Sequence, residues 1–154
     1  MKLLPCLYAF LACAGFCFIF EIKKPWFILL ASAVGALGWA AFLLMEPMGS
    51  DVARYLMATV LVSLLSELLA RFLKAPATIF LIIGIIPLVP GGGLYYAMEY
   101  LINGDFTAFA QKGIQTAAYA GAIAVGVSLV SSLARILRWR NPAQRPPEPG
   151  DRGL

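Results

Sequence analysis

Apolar residues along the chain gather into five long runs, at 3–20, 26–45, 52–72, 77–102 and 114–137, separated by short polar stretches. Runs of about 18–25 residues are what a helix needs to cross about 30 Å of hydrocarbon at 1.5 Å per residue. The pattern predicts an all-α integral membrane protein with five transmembrane helices. An odd number of spans puts the termini on opposite sides. The first run also has features of a signal peptide, because Lys2 precedes it and Ala12-Cys13-Ala14 offers small residues at a cleavage-like spacing. Its apolar character continues through 16–20, past any such site, which favours retention as a helix.

The polar stretches set the expected orientation, since cytoplasmic loops carry the excess of Lys and Arg. The first and third loops hold Lys23, Lys24, Arg71 and Lys74, and the C-terminal flank holds Arg135, Arg138, Arg140, Arg145 and Arg152. The opposite set is Lys2, Arg54 and Lys112, beside the acidic Glu46, Asp51, Glu99 and Asp105. This places the N-terminus outside and the C-terminus in the cytoplasm. Residues 141–154 contain Pro142, Pro146, Pro147 and Pro149 with no apolar run, so they are expected to form a disordered cytoplasmic tail. Residues 1–140 then form one membrane domain, without an internal repeat.

Composition sharpens the picture by exclusion. Hydrophobic residues make up 61% of the 154 and charged residues 13%, against about 45–50% and 25% in an ordinary soluble domain. A soluble globule is excluded, and the lipid bilayer is the expected surrounding. The chain has no His, which rules out His-ligated zinc, Ser-His-Asp triads and Cys-His dyads built within it. The net charge of +4 is a topology signal, and no nucleic-acid partner is inferred from it. Cys6, Cys13 and Cys17 fall on one face of the first helix, as a thiol stripe or, more simply, as small side chains that tolerate burial. No cofactor or metal is expected.

Small residues recur at four-residue spacing in two spans. Ala31 and Gly35, with Ser32, Ala36 and Ala40, lie in the second, and Gly113, Ala117 and Gly121, with Ala118, Ala122 and Gly126, in the fifth. Such stripes allow the close backbone approach by which helices associate in lipid. Frequent Gly and Ala in membrane helices would give the same pattern without a contact.

The fourth run is interrupted. Within 77–102 stand Pro87, Pro90, Gly91, Gly92 and Gly93. Each Pro inside a helix costs about 3 kcal/mol or more and each Gly about 1 kcal/mol relative to Ala. A continuous helix is not expected, and about 15 Å of helix on either side would put the break near mid-membrane. Unwound backbone at that depth must face protein or a water-filled path. The second half-helix then presents free N–H groups and the positive end of its dipole, which suits a carboxylate, as at the midplane sites of secondary transporters. The freed carbonyls of Ile83, Gly84, Ile85 and Ile86 suit a cation or ammonium group. Thr78, Tyr95 and Tyr96 add hydroxyls to the two half-helices. A Pro-kinked helix whose glycines only ease packing is the plainer alternative. Just upstream, Ser63, Ser66 and Glu67 lie within the third span, with Glu67 four residues before Arg71. This pair reads either as a proton-coupling acid with its neighbour or as an interfacial ion pair.

The run Lys74-Ala75-Pro76-Ala77-Thr78 leading into Ile85-Ile86-Pro87-Leu88-Val89-Pro90-Gly91-Gly92-Gly93-Leu94-Tyr95 resembles the signature of the threonine/serine exporter (ThrE) family. The likeness is to its split form, in which the second, five-helix half is a separate small protein. The resemblance implies a bacterial inner-membrane exporter of small polar or anionic metabolites, hydroxy amino acids or C4-dicarboxylates such as succinate. It also implies a larger companion subunit in a hetero-oligomer. An assembly subunit without a substrate site is the competing reading. An intramembrane enzyme has no nucleophile-base pair to support it.

Overall fold

The computed structural model describes residues 3–139, and these are helical almost throughout. Six α-helices follow one another: α1 (Leu3–Ile19), α2 (Pro25–Leu44), α3 (Asp51–Leu73), α4 (Ala77–Ile85), α5 (Gly91–Ile102) and α6 (Phe106–Trp139). Short 3-10 turns occupy Glu46–Met48 and Ile86–Leu88. The expected tail, 141–154, lies outside the described residues.

Among the described residues three helices are long and apolar enough to cross a membrane: α2, α3 and, over Phe106–Ile136, α6. The pair Ala77–Leu88 and Gly91–Ile102, bent by 45°, counts as a fourth if taken as one span. With 17 residues, α1 reaches about 26 Å and is a shorter apolar helix outside this set, so three or four spans stand where the apolar runs predict five.

The helix ends follow from local chemistry. Pro25 occupies the first turn of α2, where its missing N–H is not needed. Between α1 and α2, Glu21 takes the left-handed conformation (φ 54°), as does Lys74 (φ 51°) between α3 and α4. Gly104 (φ 79°) turns the chain into α6, where the Asp105 carboxylate accepts the Ala108 N–H at 2.9 Å. This cap starts α6 eight residues before the apolar run at 114 does, because 106–113 is helical without being uniformly apolar.

The interior is built where α2, α3 and α4 pack against one another, with α1 against α2 and α4 and with α6 along α3. One buried cluster joins Cys13 and Cys17 of α1 to Ala31, Phe80 and Ile83. A second joins Val34, Ala41, Ala58, Val62 and Leu88. The close crossing depends on glycine. A β-carbon on Gly84 would lie 2.8 Å from Cγ1 of both Val34 and Val62, and one on Gly38 would collide with Val62. Of the two small-residue stripes, Ala31 and Gly35 are buried on α2, and Ala122 and Gly126 on α6, while Ala117 and Gly121 are exposed. Gly126 lies against Thr59, 3.1 Å from its Cβ by the same measure.

Candidate functional site

The turn between α4 and α5 is half buried and half open. Pro87 packs beside Gly35 and Cys13, and Leu88 is fully buried in the second cluster. Val89, Gly91 and Gly92 are exposed, and nothing lies within 4 Å of a β-carbon placed on either glycine. Gly93 lies against Thr116 of α6, where a β-carbon would collide with the threonine hydroxyl. That hydroxyl donates to the Lys112 carbonyl at 2.7 Å, which fixes its orientation.

The backbone bonds of the turn define what is left to a ligand. The Val89 N–H donates to Ile86 O at 3.3 Å, Gly91 N–H to Val89 O at 2.8 Å, and Leu94 N–H to Pro90 O at 3.4 Å. Between these, the N–H groups of Gly92 and Gly93 stand in the first turn of α5, where a helix provides no acceptor one turn back. The carbonyls expected to suit a cation are partly engaged. Ile83 O accepts from Ile86 N–H and from the Cys13 thiol at 3.4 Å, and Ile86 O is taken by Val89.

Of the other residues singled out in the sequence, Tyr95 and Tyr96 follow directly on this turn and Thr78 lies apart from it. Thr78 is exposed at the far end of α4, about 13 Å along the helix from Pro87. Tyr95 and Tyr96 are exposed on α5, with their rings 5.4 Å apart. Glu67 is partly buried and Arg71 exposed near the C-terminal end of α3.

A polar seam runs inside the bundle on the same helix. Thr59, Ser63 and Ser66 are all buried on one face of α3. Ser66 donates back to Val62 O at 2.8 Å, whereas the Thr59 and Ser63 hydroxyls have no hydrogen-bond partner. A buried hydroxyl left unpaired costs about 1–3 kcal/mol, so the two are a local source of hydrogen-bonding capacity. The four- and three-residue spacing of hydroxyls in an apolar run is the signal for this seam, although one Thr in such a run, as at Thr59, is ordinary and carries no signal by itself. Thr116 was equally silent, since its role depends on Gly93 of another helix.

At the opposite end of α3, Arg54 gathers three elements. Its Nε and Nη2 donate to the Phe42 carbonyl at 3.2 Å, and Nη1 donates to Asp51 Oδ1 at 2.7 Å. The guanidinium lies 4.2 Å from the centre of the Phe42 ring, and the Tyr119 hydroxyl donates to Asp51 Oδ2 at 3.1 Å. Phe42, Tyr55 and Tyr119 stack in sequence with centroids 4.7 Å apart. Read from the sequence as a topology marker, Arg54 is also a structural bolt. Among the described residues no cluster of three or more His, Cys, Asp or Glu could hold a metal ion.

A family model described as Threonine/Serine exporter, ThrE, matches residues 5–133, most of the chain and all of the turn described above. No curated protein and no solved structure matches it.

Proposed function

Because the chain belongs to the threonine/serine exporter family, and is thereby a multi-pass membrane protein of exporter type, we propose that it is the small subunit of a two-component secondary transporter. In this reading a larger companion supplies the other half, in a bacterial inner membrane, and the chain enters from outside with its C-terminus in the cytoplasm. The α4–α5 pair serves as one broken span, and α1 as the fifth crossing. The substrates are small polar metabolites, threonine and serine or a C4-dicarboxylate such as succinate.

The observation that carries this reading is the open first turn of α5. The N–H groups of Gly92 and Gly93 point out of the positive end of a helix, and exposed Gly91 and Gly92 put no side chain in front of them. A carboxylate, common to amino acids and dicarboxylates, fits there. Thr59 and Ser63 offer hydroxyls to a polar solute deeper in the bundle, and Glu67 is the candidate coupling acid. Gly91→Leu and Gly92→Leu put a side chain into open space, so both variants should assemble. Export from cells expressing chain and companion is expected to fall at least tenfold in each. Wild-type export from assembled variants would exclude this path.

One observation favours the second reading, an assembly subunit. Gly113 and Gly121 on α6 also face open space, as a helix-docking stripe would. Under that reading Gly121→Leu abolishes recovery of the companion while the two α5 variants export normally.

A further inference from the structure

The cavity at the start of α2 and α4 has no part in the turn above. It is an open cleft of about 390 Å³ between the α1–α2 connection and one side of α4. Phe20, Ile79 and Ile82 form apolar walls, while Lys23, Lys24 and Thr78 bring polar groups to it. Glu21 also lines it and is the one acidic side chain there. Two helix N-termini begin beside this cavity, α2 after Lys24 and α4 after Pro76, and neither has a side-chain cap or an acidic residue in its first turn. Lys24 Nζ lies 5.3 Å from the centre of the Phe27 ring, another lining residue, so its charge is held against the cavity. Phe20 and Ile82 are 54% and 46% exposed; in a membrane protein this opens the cavity sideways to acyl chains. Trp26, 70% exposed next to the two lysines, is the residue type that sits at the headgroup level.

We propose that this cavity binds an anionic phospholipid, its phosphate held by Lys23, Lys24 and the N-terminus of α4 and an acyl chain lying over Phe20, Ile79 and Ile82. Net cationic character at the rim selects the anion, and the apolar walls select a lipid over a soluble phosphate or carboxylate. Basic pockets between membrane helices hold lipid headgroups by the same physics.

The test uses the full chain purified in detergent and titrated with phosphatidylglycerol, with retained lipid read by native mass spectrometry. The wild type should retain phosphatidylglycerol in preference to phosphatidylcholine. Lys23→Gln with Lys24→Gln should weaken retention about 30-fold, two surface charges acting together, whereas Lys112→Gln, outside the cavity, should leave it unchanged. Ile82→Trp fills the wall without touching either lysine and should also weaken retention. Equal retention of phosphatidylcholine, an unaffected double variant, an unaffected Ile82→Trp, or equally effective competition by glycerol 3-phosphate, which has no acyl chains, would each overturn the proposal.

Discussion

Gly93 of α5 and Thr116 of α6 meet with no room for a β-carbon between them. The threonine is held in place by its own bond to Lys112 O, so the contact has little freedom to yield. Gly93→Ala is expected to destabilise the protein by about 1–3 kcal/mol through overpacking. Thr116→Ala in the same chain removes the colliding atoms and should restore most of the loss. Thermal unfolding in detergent of the single and double variants checks both statements.

Glycines in one segment differ sharply in what they are for. Gly84 sits between two valine methyls, and Gly91 faces open space. Alanine at 84 should cost about 1–3 kcal/mol, while alanine at 91 should be neutral or stabilise by up to about 1 kcal/mol, because it stiffens the unfolded chain. Denaturation of the two single variants under one condition gives the comparison.

The bolt at Arg54 makes a prediction of a different kind. Arg54→Lys keeps the charge, but a compact ammonium cannot reach the Phe42 carbonyl, Asp51 and the Phe42 ring together. A loss of about 1–2 kcal/mol is expected. Tyr119→Phe removes a single exposed hydroxyl bond and should cost less than about 1 kcal/mol. Unfolding midpoints in the order wild type, Tyr119→Phe, Arg54→Lys would bear this out, and the reverse order would not.

Asp105 is the start signal for α6. Asp105→Ala should cost about 0.5–2 kcal/mol and fray 106–109 first. Faster amide exchange confined to those residues is the expected readout.

These contacts mark where sequence reasoning runs out. The all-helical class and the family were legible, because both are written locally, in apolar runs and in the run from Ile85 to Tyr95. Partners across helices were not. Nothing near Gly93 announces Thr116, and nothing in the charge of Arg54 announces the Phe42 carbonyl, because periodicity marks a buried face without naming what covers it. The early start of α6 was hidden for a related reason: Gln111 and Lys112 lower the apolar signal while leaving helix propensity intact. Thr78 read as a neighbour of the break because both lie in one apolar run, yet helical rise carries it to the other end of α4 and to a different cavity. The open faces of Gly91 and Gly92 also lay beyond the sequence, since a glycine that fills a tight crossing and one that borders space are the same letter.

Among the described residues α5 has one helical neighbour, α6, and is tied at its ends by the turn after Leu88 and by Gly104. Most of its circumference, including Leu94, Tyr95, Met98 and Ile102, is uncovered. Phe80 and Leu88 have their surroundings fixed by the chain itself. α5 does not, so whatever coats it, acyl chains, detergent or a second polypeptide, supplies the other half of its packing. The medium is in that sense a co-author of this helix's position, and the same polypeptide in two different amphiphiles need not hold α5 at one angle.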